Sequence, residues 1–269
     1  MSHVEELGAY LEAWVQSAPG PDDVNLIVQD AQAALVEAGM VQYNPDGWDF
    51  KLHEKYPDAP KACFKLMIRQ AAGVDTNPAY YDRFTLPSVF QADAAGLLAN
   101  EPYILGYPNA GTPIAGAFRR LTDEQLGIGL VQLHQAKILH ADNTRELGDI
   151  ESPYEEGKSV LAIDDTATGG DTKVEGWQKI TAHGLGYAGL MLIVERDPLG
   201  SALIRERTGG GVHPSMHWLT VVRRAAKILG LPDAAVQQEF SYPLRLFEWN
   251  VDNDNLGRLP DPSSLAPIN

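Results

Sequence analysis

Along the first forty residues, apolar positions recur at helical spacing. In VEELGAYLEAWVQSA, Leu7, Tyr10, Leu11 and Trp14 fall on one side of a 3.6-residue turn. This predicts an amphipathic helix stopped by Pro19-Gly20-Pro21. Asp22 or Asp23 can cap a second helix, NLIVQDAQAALVEAG, ending at Gly39. The helical period is then lost. The Asn-Pro-Asp-Gly turn and the prolines of YNPDGWDFKLHEKYPDAPKACFKLMIR predict short strands and loops. From Tyr103 to Gly230 the pattern alternates. PYILGYP, GLVQLHQ, KSVLAIDD and AGLMLIVE read as strands, while GTPIAGAFRRL, GDTKVEGWQKITAHGLG and SMHWLTVVRRAAKILG read as helices. Such alternation predicts an α/β fold, a parallel sheet flanked by helices, preceded by an N-terminal helical region. The chain divides into residues 1–47 (helical), 48–238 (the α/β body) and 239–269. The last stretch, rich in Pro, Asp and Asn from Phe240 onward, is expected to be an irregular tail.

Composition narrows the partners. The formal net charge of −15 over 269 residues speaks against sequence-independent binding of nucleic acid or anionic lipid. An anionic small molecule then needs a local device: backbone amides, a few cations or a metal ion. One cysteine, Cys63, precludes an intrachain disulfide and fits a reducing compartment. The acidic N-terminal stretch is unlike a secretory signal, and no run approaches the ~18 apolar residues of a membrane span. A cytoplasmic location is the expectation.

The sharpest chemical signal is SVLAIDDTATGGDTK. An apolar strand ends in two acids, Asp164 and Asp165. A loop of small residues follows (Thr166, Ala167, Thr168, Gly169, Gly170), and Asp171, Thr172 and Lys173 open a helix. Small residues let backbone N–H groups approach a phosphate, and the helix N-terminus adds partial positive charge. Carboxylates repel phosphate but accept hydrogen bonds from vicinal ribose hydroxyls, directly or with Mg²⁺ nearby. Upstream, YILGYPNAGTPIAGAF places Gly106 and Gly111 around a loop at the end of another strand, with Pro113 and Ala115 beginning the helix. His213 and His217 lie four apart, but Pro214 and the lack of an HExxH pattern argue against a metal pair. Cys63 sits in an apolar stretch and reads as a buried thiol.

Residues Val160 to Thr172 resemble the phosphoribosyl pyrophosphate (PRPP) motif of the type I phosphoribosyltransferases: strand, two acids, two variable residues, a small hydroxyl-rich loop and a closing Thr or Ser. The resemblance runs roughly from Trp48 to Gly230. It implies a type I phosphoribosyltransferase fold, a homodimer, and transfer of ribose phosphate from PRPP to a nitrogenous base. Thr166, Ala167, Thr168, Gly169, Gly170 and Thr172 would hold the 5′-phosphate. Tyr107, Pro108, Asn109, Ala110 and Gly111 would hold pyrophosphate. Asp164 and Asp165 would hold the ribose and, indirectly through Mg-PRPP, the Mg²⁺ cofactor. Lys137 or His140 would close over the leaving group.

Within that family the orotate enzymes look most similar. Their hood pattern is matched by Phe50, Leu52, Pro60, Phe64 and Arg69, which places Phe64 at the base. Glu195-Arg196 stands where an Asp-Arg pair is expected, its arginine suited to a carboxylated pyrimidine. The departures lie in the cations. His134 and Gln135 replace an Arg-Lys pair, Ala110 replaces the lysine of the pyrophosphate loop, and Lys137, His140 and Arg145 are what remains. The resemblance therefore leaves two other readings: a PRPP- or nucleotide-binding regulatory protein without turnover, and a purine-type transferase.

Overall fold

The computed structural model describes residues 2–68, 77–139, 145–167, 170–253, 255 and 259–266. Both N-terminal helices form. Helix α1 (His3–Ser17) begins with a reciprocal Ser2–Glu5 capping box. Helix α2 (Leu26–Glu37) is capped by Asn25 instead of Asp22 or Asp23, because the Asn25 side chain accepts from Val28 N–H. The Asn-Pro-Asp-Gly stretch is absorbed into β1 (Val41–Trp48), whose register against antiparallel β2 (Ala62–Leu66) slips between Tyr43 and Trp48. Short helix α3 (Lys51–Lys55) joins the two. Helix α4 (Pro78–Ala94) carries Pro87 inside it, and apolar spacing alone does not announce it.

The body then alternates as predicted: β3 (Tyr103–Gly106), α5 (Gly111–Leu126), β4 (Gln132–Leu133), a hairpin of β5 (Gln135–Leu139) and β6 (Arg145–Ile150), β7 (Ser159–Asp164), α6 (Asp171–Ala182) and β8 (Gly186–Glu195). Helix α7 (Pro198–Thr208), β9 (Val212–His217), α8 (Trp218–Leu229) and α9 (Asp233–Asp252) complete it, with a 3-10 turn at Pro262–Ser264. Two expectations are corrected. Ser215, Met216 and His217 belong to β9, so the helix expected from Ser215 begins at Trp218. The tail expected to be irregular from Phe240 is helical to Asp252. Pro243 argued against a helix there, but burial of Ala235, Glu239 and Phe247 outweighs the lost N–H. Among the described residues, no helix is long and apolar enough to cross a membrane.

Among the described residues the central sheet has five parallel strands in the order β4-β3-β7-β8-β9. Alternation along its strands feeds two layers. Ile104, Leu161, Ile163, Met191 and Ile193 pack with the buried residues of α4, α5 and α8. Tyr103, Leu105 and Val160 pack with Ile180 of α6. Ala162, Leu190 and Leu192 pack with Ile204 of α7. After β3 the chain crosses to β4 on one side, whereas β7 lies on the other. The order therefore reverses between β3 and β7, and open α/β sheets take ligands beyond the carboxyl ends of the strands at such a reversal.

Candidate active site

The two loops singled out in the sequence meet at that reversal. The loop after β3 folds back so tightly that a Cβ on Gly106 would stand 2.2 Å from Gly111 O. A Cβ on Gly111 would stand 2.4 Å from Ile163 O and 3.2 Å from Asp164 Oδ1. Both obstacles are mainly backbone, so glycine here is a packing requirement. Gly111→Ala is expected to force the β3 and β7 ends apart and to cost about 1–3 kcal/mol, measurable by chemical denaturation. Between the glycines, exposed Asn109 takes a left-handed conformation (φ 85°). Pro108 is half-buried, and Ala110 is buried, so its part in any ligand contact falls to the backbone. Tyr107 is buried too. Its hydroxyl donates to Lys173 O at 3.3 Å, and its ring lies where a Cβ on Gly176 would be. Burial, and after it the neighbouring Tyr187, pushes its phenol well above the ordinary range. Tyr107 is thus the peg that fastens this loop to α6.

The second loop leaves β7 at the paired acids. Asp164 and Asp165 are both buried, 3% and 6% exposed. Asp164, expected at the ribose, has its Oδ2 ion-paired with Lys173 Nζ, and its Oδ1 accepts from Asp165 N–H at 2.9 Å. Asp165 Oδ1 accepts from Thr166 N–H at 2.7 Å. Tyr81 of α4 lies close enough that, after burial, the Asp165 charge raises its hydroxyl pKa. Thr166 is half-buried and Ala167 is buried in the α7-side core. Thr168 and Gly169 lie outside the described residues. Gly170 caps α6 in a left-handed conformation (φ 76°), and a Cβ there would meet Ile204 at 2.8 Å. Thr172 is exposed in the first turn of α6, where Lys173 N–H already donates to Gly170 O at 2.9 Å and the turn's earlier N–H groups precede the helical ladder. Exposed Asp171 in that turn is countered by Arg207 of α7 at 3.3 Å.

The hood residues divide. Phe64 is expected at the base, but it is fully buried and its ring packs tilted against Tyr43, 5.0 Å between centroids, so its side chain belongs to the core. The partly buried Arg196 holds the expected place at the end of β8. Its guanidinium lies 4.7 Å from the Phe50 ring centroid and 5.4 Å from that of Trp218, and it donates weakly to Phe64 O at 3.5 Å. Lys65 lies 5.0 Å from Trp48 and 5.7 Å from Phe50. Arg69 lies outside the described residues. The sequence reading missed the contribution of α9. Glu239 is buried and accepts from Cys63 N–H, Phe64 N–H and the Trp218 indole at 2.9, 3.1 and 2.9 Å. Tyr242, one turn on, is pushed up to about 12 by burial, with Arg196 pulling the other way. Burial, reinforced by Glu239, also pushes the Cys63 thiol up to about 12, which makes it a poor nucleophile.

The hairpin packs by β6 on α6, where Leu147 N–H donates to Glu175 at 2.7 Å. Gln135, at one of the cation-replacing positions, is buried and turned inward onto Gly148 O at 2.8 Å. His134 is exposed, Lys137 is partly buried opposite Leu147, and His140 lies outside the described residues. Among the described residues no cluster of three or more His, Cys, Asp or Glu forms a metal cage.

Beside Arg196, Glu195 accepts from the Trp14 indole at 3.1 Å and pairs in register with His217. The His217 ring stacks on Trp14 (4.1 Å). Its Nδ1 accepts from Leu219 N–H at 3.2 Å, so Nε2 carries the proton toward Trp14 O at 3.1 Å. Protonation would set a second N–H against the Leu219 donor. Burial lowers the His217 pKa to about 4. With an unfolded value near 6.5, the unfolded state binds the extra proton between those limits. Stability is therefore present above pH ~6.5 and lost as pH falls toward 4, by roughly 3 kcal/mol. Burial raises Glu195, whose contribution has the opposite slope: present at low pH and lost as pH rises through its raised value. His217→Asn keeps a capping acceptor and should flatten the acid limb of a melting-temperature profile.

Comparison with solved structures decides the fold. The UMP synthase of Leishmania donovani superposes with a TM-score of 0.61 at 19% identity, over 81% of this chain and 42% of that one. The orotate phosphoribosyltransferase of Aeropyrum pernix gives 0.54 at 16% identity, over 74% of this chain and 97% of that one. That of Francisella tularensis gives 0.53 at 12% identity, over 82% and 96%. The chain has the type I phosphoribosyltransferase fold. It spans less than half the length of the UMP synthase. No protein-family model and no curated protein sequence matches it. The β3 and β7 loops meet where the strand order reverses, the position at which open α/β sheets in general take ligands.

Proposed function

We propose that the chain transfers the phosphoribosyl group of PRPP to a nitrogenous base and releases pyrophosphate. The observation that carries this reading is the backbone contact between the two loops. Gly106 and Gly111 close one loop against the end of β7, and the acids and the first turn of α6 follow directly on the other strand. The switch point thus offers amides for two phosphate groups and, in Asp165, a carboxylate for the sugar between them.

In the reaction the C–O bond from the anomeric carbon to pyrophosphate breaks. A bond from a base nitrogen forms, and the base loses a proton. Positive charge gathers on the ribose and negative charge on the leaving group, so positioning and electrostatics supply most of the rate. Asp165 is the acid assigned to the ribose, with Asp164 braced behind it by Lys173. The first-turn amides of α6 and Thr172 hold the 5′-phosphate, and the amides of residues 107–111 face pyrophosphate. The donor set suits Mg²⁺ only as a substrate-borne ion, since such ions take one or two carboxylates plus substrate phosphates. When bound it supplies charge neutralisation on pyrophosphate, with Asp165 the nearest candidate ligand. Arg196, set against Phe50, suits a planar base carrying a carboxylate, and orotate is the base we assign.

A second reading, a PRPP sensor without turnover, is favoured by the inward-turned Gln135 and by the Lys173 lock on Asp164. Pyrophosphate release should be measured with PRPP, magnesium and, in turn, orotate, uracil, adenine, hypoxanthine and nicotinate. Release with orotate alone supports the full assignment, and release with another base redirects specificity. Saturable PRPP binding with no release from any base supports the sensor, and no PRPP binding sinks both.

A further inference from the structure

A lysine is an awkward residue for the first turn of a buried helix. Its charge opposes the helix dipole, and burying it is costly unless it is matched. Lys173 bears both costs, with its side chain 7% exposed. What matches it is Asp164, the first of the paired acids. The pair also ties three elements together. Asp164 ends β7, and its Oδ1 lies beside Gly111 of the other loop. Lys173 Nζ sits 5.6 Å from the centroid of the Tyr107 ring, whose hydroxyl bonds the Lys173 carbonyl. The cation therefore sits inside the wedge between the two phosphate-facing loops. Elsewhere the site is short of positive charge: Ala110 has no charge, Gln135 is turned away, Arg207 is spent on Asp171, and the whole chain carries −15.

Resting on the reading of this switch point as a PRPP site, we infer that Lys173 is its charge-balancing and positioning residue. By neutralising Asp164 from within, it lets the paired-acid floor accept an anionic sugar diphosphate before a divalent cation is bound. The lysine does not touch the reacting atoms. It removes one of two negative charges that would repel the incoming phosphates and holds the acid at a fixed depth.

The test is calorimetric titration of the full chain with inorganic pyrophosphate and with PRPP, each in EDTA and in magnesium. Lys173→Met should weaken both ligands in EDTA by about tenfold, the scale of one unit charge acting over about 12 Å at an effective dielectric of ~20. Magnesium should recover most of that loss. Asp164→Asn leaves the lysine charge unopposed and should tighten pyrophosphate in EDTA by a similar factor. A merely structural role predicts that both variants weaken binding, equally with and without magnesium. That result, or unchanged binding in Lys173→Met, overturns the inference. So does wild-type binding that requires magnesium absolutely. If Lys173→Met fails to fold, the sign of the Asp164→Asn effect decides. Wild-type chain that binds neither ligand in magnesium would overturn the PRPP reading itself, a result distinct from all of these.

Discussion

Asp165→Asn is expected to cut kcat/KM for phosphoribosyl transfer about 10²- to 10³-fold, the usual cost of removing one electrostatic stabiliser from a site where charge develops. The substitution keeps the side-chain shape, and Asn Oδ1 can still accept from Thr166 N–H, so the loop geometry should survive. What is lost is the negative charge next to a ribose that turns cationic in the transition state. The partner experiment adds Asp164→Asn. With both acids gone, transfer should be abolished while far-UV circular dichroism stays that of the wild type. Pyrophosphate release under saturating PRPP and base is the measurement. Normal turnover in the double variant would remove the acids from the mechanism.

Glu239→Ala should destabilise the fold by about 3–5 kcal/mol, because three buried N–H donors lose their shared acceptor at roughly 1–3 kcal/mol each. Cys63 N–H, Phe64 N–H and the Trp218 indole all converge on this one carboxylate, joining β2, α8 and α9. Such a loss is a large fraction of the stability of an ordinary domain. The damage should also reach the site. Trp218 forms one wall beside Arg196, and Phe64 supplies the carbonyl on its other side. Glu239→Gln keeps one acceptor oxygen but turns an NH₂ toward the donors, so it should fall between wild type and alanine. Urea denaturation measures both. A loss under 1 kcal/mol for alanine would mean that water reaches these donors.

The α/β alternation, the end of α8 at Gly230, and the two strand–loop–helix units were all legible in the sequence, because local pattern governs them. Continuous apolar runs in β3, β7 and β8, a period near 3.6 in α5 and α6, and glycines at tight turns need no knowledge of distant residues. Helices α4, α7 and α9 were not legible. Two carry an internal proline, and α9 gains its stability from a buried carboxylate whose partners lie over 170 residues away in β2. The site divides the same way. Where the acids and the small-residue loop sit follows from chain order. That Phe64 faces inward, and that Lys173 reaches back to Asp164, do not.

The sequence by itself determined which residues stand at the strand ends and in the loops, since hydrophobic period and turn chemistry act over a few neighbours. Only the tertiary structure decided which charges meet. Burial, and the closing of one strand end against another, set the partner of each ionised group, and that partner decides whether a carboxylate faces ligand or lysine.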